Sequence, residues 1–188
     1  MENIAIFASG NGTNCENIIR HFENNDKVRV TVVVSNNADA FALVRARRLG
    51  VATVVVTKSQ LADESEFVPL LSEYAVDYIV LAGFLLMVPP YLVKRYDRRI
   101  INIHPSLLPK YGGKGMYGRN VHEAVRAAND TETGITVHYV SNVCDGGDII
   151  FQAKTPVALT ATPEEIEDSV HLLEKKYFPD VIEKTILG

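Results

Sequence analysis

Apolar residues gather in short, nearly continuous runs separated by stretches of mixed polarity: NIAIFAS, VRVTVVVS, ATVVVT, VDYIVLAG, RRIINIH, GITVHYV and DIIFQAKTPV. Unbroken β-branched runs, rather than strict alternation, predict strands covered on both faces, as in a parallel sheet flanked by helices. Between them, AFALVRARRLG (Ala40 to Gly50) shows helical spacing and stops at a glycine suited to a C-cap. The last two runs follow each other closely, so the C-terminal part of the sheet is expected to be antiparallel. The segment TPEEIEDSVHLLEKKYFPDVIEKTI has Thr162 as N-cap, Pro163 at the first helical position and acids in the first turn, which together predict one helix, bent at Pro179. The pattern is α/β. No repeat, low-complexity tract or linker interrupts it, and one domain over residues 1–188 is the simplest organisation.

Composition changes this picture little. A chain of 188 residues with 47% hydrophobic and 22% charged residues is ordinary for a globular domain. The net charge of -4 gives no basic footprint for nucleic acid or an anionic membrane. Cys15 and Cys144 lack the number and spacing of a disulfide framework or zinc site, which fits a reducing compartment. The first residues, MENIAIFASG, carry no basic region of a signal peptide and read as a strand. The longest apolar stretch, from Val76, is broken by Asp77, Gly83, Pro89 and Pro90, short of a membrane span. A cytoplasmic protein is expected, with no metal, since the five histidines are scattered without ligand spacing.

Three segments carry candidate chemistry. SGNGTN (Ser9 to Asn14) links the first strand to the first helix, where glycines permit a sharp turn and free N–H groups suit a phosphate; a turn without ligand fits the local pattern equally well. It is neither a Walker sequence nor a dinucleotide fingerprint, because Cys15 stands where a third glycine would be. LAGFLLMVPP (Leu81 to Pro90) leaves a strand through Gly83 and shows an apolar loop that would suit a flat heteroaromatic ligand, although core packing alone explains it better.

INIHPSLLPK is the third. If residues 101–104 are extended, Asn102 and His104 share one side of a strand, and Pro105 ends the ladder at the carboxyl end, where open α/β sheets bind ligands. In VCDGGDII, Asp145 is expected to project from a glycine turn and orient the imidazole, with Asp148 as its rival at the strand start. Next to a carboxylate, His104 is expected to have a raised pKa and to act as a protonated donor beside the Asn102 amide. Two donors converging on one point serve a tetrahedral oxyanion, which suggests acyl transfer. No nucleophile elbow is present, so direct attack by a substrate amine fits better than a covalent enzyme intermediate.

With SGNGTN, LAGF, NIHPSLLPKY and CDGGDII in this order, the sequence resembles the folate-dependent formyltransferases, and within them the glycinamide ribonucleotide branch, over nearly its whole length. The resemblance implies a Rossmann-like three-layer sandwich and transfer of a formyl group from 10-formyltetrahydrofolate, the cosubstrate, to the amine of glycinamide ribonucleotide in purine biosynthesis. It implies that Asn102, His104 and Asp145 are the catalytic trio. By the same resemblance Asn11, Gly12, Thr13 and Asn14 hold the substrate phosphate, His171 is a further phosphate contact and Glu174 receives the amine. Leu85, Leu86, Met87 and Val88, with Val140 and Ser141, match walls of the folate pocket, and His138 is an interior histidine that supports the site.

The chain departs from the family at Leu86, where many members have arginine, and near Asp63-Glu64-Ser65, which lacks an arginine often found there. The segment Tyr111 to Val125 is longer than in several relatives and glycine-rich; a lid with Lys114 or Arg119 near the phosphate or ribose is expected. Formyltetrahydrofolate hydrolase and methionyl-tRNA formyltransferase are disfavoured because neither the N-terminal regulatory domain of the first nor the C-terminal barrel of the second is recognisable. A non-catalytic folate or nucleotide binding module is the alternative from another class, and a monomer and a homodimer are both compatible with the sequence.

Overall fold

The computed structural model describes all 188 residues, which divide into two compact units, Met1–Ile101 and Asn102–Gly188. In the first, β1 (Glu2–Phe7), β2 (Val28–Ser35), β3 (Ala52–Val55) and β4 (Tyr78–Leu81) alternate with α1 (Thr13–Phe22), α2 (Phe41–Arg48), α3 (Lys58–Ala62), α4 (Glu64–Glu73) and α5 (Pro90–Arg95). β1 pairs in parallel with β2 and β4, and β2 with β3. Ile4, Ala5, Ile6 and Phe7 are wholly buried, which explains why the β1 run shows no alternation: both faces are covered. The Phe7 ring meets Phe67 and Phe84 edge-on, with centroids 5.9 and 5.3 Å apart.

β5 (Ile100–His104) opens in the first unit and closes in the second, which continues through α6 (Arg119–Ala127), β6 (Glu132–Tyr139), β7 (Ile149–Pro156) and α7 (Pro163–Leu187). The strand order is β3-β2-β1-β4-β5-β6-β7. β6 and β7 are antiparallel, and their register slips between Val137 and His138. The residue left without a partner is Ile150, so the bulge belongs to β7 and lies beside His138. Gly134 and Gly147 are forced by backbone contact: a Cβ would lie 1.9 Å from the Ala153 carbonyl oxygen at the first and 1.7 Å from that of Tyr139 at the second.

Helix boundaries follow the local chemistry read from sequence. Thr162 caps α7 through a reciprocal capping box with Glu165, and Pro163 begins the helix. The expected bend is not an interruption, for α7 runs as one helix through the buried Pro179. α2 ends before Gly50, whose φ of 73° is the left-handed conformation such an end requires. No helix is long and apolar enough to cross a membrane.

Candidate active site

Asn102 and His104 lie at the carboxyl end of β5, and Asp145 projects from the turn between β6 and β7 with φ 53°, a left-handed conformation that aspartate tolerates better than most residues. All three belong to the second unit. His104 is 4% exposed. Its Nε2 stands 2.7 Å from the Tyr111 carbonyl oxygen. A carbonyl only accepts, so Nε2 carries the hydrogen and Nδ1 is left as the nitrogen that gains or loses a proton. Nδ1 faces Asp145 Oδ2 at 3.5 Å, near enough for charge attraction.

The same logic orients the amide. His138 Nδ1 lies 2.9 Å from the Tyr139 carbonyl and must donate to it, which leaves Nε2 to accept from Asn102 Nδ2 at 3.0 Å. One amide hydrogen of Asn102 is thereby used, and the second remains to donate elsewhere. His138 Nε2 also lies 3.7 Å from Asp145 Oδ1, so this buried histidine touches two members of the trio. Asp148, the rival acid, is exposed, and its backbone oxygen accepts from the Tyr139 N–H at 2.9 Å.

Electrostatics correct one expectation. Burial pushes the His104 imidazole below its ordinary pKa, and Asp145, although it pulls the other way, does not reverse this. His104 is therefore neutral at pH 7, not a standing cation. Burial also opposes ionisation of Asp145, but contact with the His138 imidazole, the Gly113 N–H at 2.9 Å and the nearness of the His104 ring hold its carboxyl below the usual carboxylate range. A neutral imidazole beside a fixed carboxylate is poised to take up a proton at Nδ1.

The phosphate-loop candidates lie in the first unit. Gly12 is the N-cap of α1 with φ 75°, Thr13 and Asn14 open the helix, and Asn11 is exposed just before it. A Cβ on Gly12 would meet the Ala42 Cα at 2.4 Å, so this turn is pressed against α2. Sequence reading missed Arg45, on α2, whose Nε donates to the Asn11 carbonyl at 2.9 Å and whose Nη2 donates to Asn11 Oδ1 at 3.2 Å. Its Nη1 pairs with Glu16, and its guanidinium lies over the Phe41 ring. Only a neighbouring-helix argument could have found it, since 34 residues separate Arg45 from Asn11.

Of the remaining candidates, Glu174 is buried on α7, and His171 is exposed there with its Nε2 3.9 Å from Glu167. Leu85 and Met87 are about 60% exposed, Leu86 is half-buried and Val88 is buried. Two such large apolar side chains held in water are better suited to covering a ligand than to filling a core. The Leu85 N–H donates to Ser9 Oγ at 2.9 Å, which ties this loop to the residue that opens the glycine turn after β1. Val140 and Ser141 are half-buried at the end of β6. Arg119, an expected lid cation, is committed instead to Glu123 and Glu164 at 2.7 and 2.6 Å. Tyr111 and Gly113 were not singled out from the sequence, yet their backbone groups hold His104 and Asp145.

Residues 2–182 match the formyl transferase family model. The chain belongs to the formyl transferase family. It is 38% identical to a phosphoribosylglycinamide formyltransferase of Haemophilus influenzae, over 97% of this chain and 86% of that protein. It is 40% identical to the enzyme of that name in Escherichia coli, over 96% and 85%. A crystal structure of phosphoribosylglycinamide formyltransferase from Bacillus halodurans superposes with a TM-score of 0.89 at 31% identity, covering 100% of this chain and 96% of that one. The enzyme class and Rossmann-like fold implied by the sequence motifs are those of these formyl transferases.

Proposed function

We propose that the protein transfers a formyl group from 10-formyltetrahydrofolate to the amine of glycinamide ribonucleotide, in the cytoplasm and as one formyltransferase domain, whether monomer or homodimer. The observation that carries this reading is the paired commitment of the two histidines. His104 spends Nε2–H on a backbone carbonyl and keeps Nδ1 toward Asp145, while His138 accepts from the amide of Asn102, two residues before His104.

In this reading the substrate amine attacks the formyl carbon, the new C–N bond forms, and the carbonyl π electrons move onto oxygen. The second Asn102 Nδ2–H donates to that oxyanion. The amine, now cationic, releases a proton that reaches His104 Nδ1, and Asp145 stabilises the imidazolium so formed, which also donates toward the oxyanion. That proton then goes to the departing folate nitrogen as its C–N bond breaks, and His104 returns to its neutral form. Asn11, Gly12, Thr13 and Asn14 bind the nucleotide phosphate through the helix N-terminus, with His171 as a further contact, and Glu174 receives the amine. Leu85, Leu86, Met87 and Val88, with Val140 and Ser141, enclose the pterin. No metal takes part in this scheme.

The testing experiment follows the absorbance of 10-formyl-5,8-dideazafolate with and without glycinamide ribonucleotide. Loss of the formyl group only with the ribonucleotide present is expected. Loss without it identifies a hydrolase, and donor binding with no reaction identifies a binding module.

A further inference from the structure

Three consecutive residues outside the trio wrap the His104–Asp145 pair. The Tyr111 carbonyl accepts from His104 Nε2, a Cβ on Gly112 would stand 3.5 Å from Asp145 Cβ and 2.5 Å from Leu108 Cδ2, and the Gly113 N–H donates to Asp145 Oδ2. Tyr111 adopts φ 55°, a left-handed backbone that costs a bulky residue about 1–2 kcal/mol and persists only where its surroundings hold it. What holds it is visible. The Tyr111 hydroxyl donates to Asp130 Oδ2 at 2.8 Å, and Lys110 Nζ pairs with the same carboxylate at 3.1 Å. The ring packs on Val125, Val157 and Ile166, and Ser106 Oγ donates to the Lys110 carbonyl at 2.7 Å.

We propose that Asp130, through the Tyr111 hydroxyl, is a positioning residue for catalysis: it anchors the strap 111–113 whose carbonyl fixes the His104 tautomer. This rests on the catalytic reading of His104 given above. Asp130 lies in the turn before β6 and touches no member of the trio, so its effect passes through the Tyr111 backbone. The hydrogen bonds are mutually reinforcing in protonation as well. The Asp130 carboxyl is held below its usual range by the Tyr111 hydroxyl and Lys110, while burial and Asp130 push the phenol above its ordinary value, so donor and acceptor keep their roles across neutral pH. The groups facing His104 are Asp145, His138 and the Tyr111 carbonyl, with His122 of α6 also within electrostatic reach.

The test compares Tyr111→Phe, Asp130→Ala, Asp130→Asn and the Tyr111→Phe/Asp130→Ala double variant in steady-state turnover and thermal melts, with His104→Ala alongside. Misplacing a catalytic group by a fraction of an ångström is expected to lower kcat about tenfold in Tyr111→Phe and Asp130→Ala, with KM for both substrates within about twofold. The double variant should be no worse than the poorer single variant, because both remove one contact. Asp130→Asn, which keeps an acceptor oxygen, should regain most of the rate. The acidic limb of kcat should move to lower pH in the impaired variants, since a loosened carbonyl supports the imidazolium less. Unchanged kcat, independent losses that multiply, or losses that merely follow the melting temperature would overturn the proposal. If His104→Ala keeps wild-type kcat, the catalytic reading itself fails, a result distinct from failure of the anchor alone.

Discussion

Replacing Asp145 by asparagine isolates charge from shape. The substituted side chain has the same outline, and its amide oxygen can still accept the Gly113 N–H that now reaches Oδ2 at 2.9 Å. What disappears is a negative charge 3.5 Å from His104 Nδ1, between side chains only 5% and 12% exposed. At an effective dielectric of about 20, a unit charge pair at that separation attracts by about 5 kcal/mol. The amide dipole and local relaxation recover part of this, so the imidazolium formed during transfer should lose about 3–4 kcal/mol of support, or about 10²- to 10³-fold in kcat at pH 7. Because burial already depresses the His104 pKa, removing the opposing carboxylate lowers it further. The assay is steady-state turnover at saturating ribonucleotide, with donor affinity measured separately by fluorescence titration. A drop in kcat with unchanged donor affinity is the expected result. Turnover within about threefold of the parent would show that the carboxylate does not support the proton on His104.

Two further predictions rest on other parts of the molecule. Gly12→Ala puts a Cβ 2.4 Å from the Ala42 Cα at φ 75°, and it should raise the ribonucleotide KM about tenfold or more while leaving donor binding intact; equal KM values would remove the turn from the phosphate site. For pH, His104 and His122 both have folded pKa values depressed by burial, so as the pH falls below about 6.5 the unfolded chain takes up protons that the folded chain refuses, and stability declines. Melting temperature should fall between pH 7 and 5, less steeply in His122→Leu; an unchanged slope would show that His122 titrates alike in both states.

Much of this architecture was legible because local rules decided it. The unbroken apolar runs gave the buried strands, Gly50 and Thr162 marked helix ends, and the glycine turn after β1 was evident as a strand-to-helix junction. The spacing of Asn102 and His104, with Pro105 after them, placed both at a strand end. Other features depended on distance in three dimensions. The direction of the His104 pKa follows from how far burial outweighs one carboxylate, a balance that residue types alone do not contain. Arg45 reaches Asn11 from a neighbouring helix and Tyr111 acts through its own carbonyl oxygen, contacts that spacing along the chain does not reveal. His138 read as an interior histidine that supports the site, and it is buried there; that its partner is the Asn102 amide depends on how β5 and β6 lie side by side, which residue types alone do not contain.

The claim on which the chemistry turns is that His104 is neutral at pH 7 with its hydrogen on Nε2 and its lone pair on Nδ1. Nitrogen-15 NMR of histidine-labelled protein, with His104→Ala used to assign the signals, reads this directly. The account predicts a protonated Nε2 and an unprotonated Nδ1 at pH 7, with titration below the ordinary histidine value. A protonated Nδ1 at pH 7, in a cation or in the opposite tautomer, would contradict it.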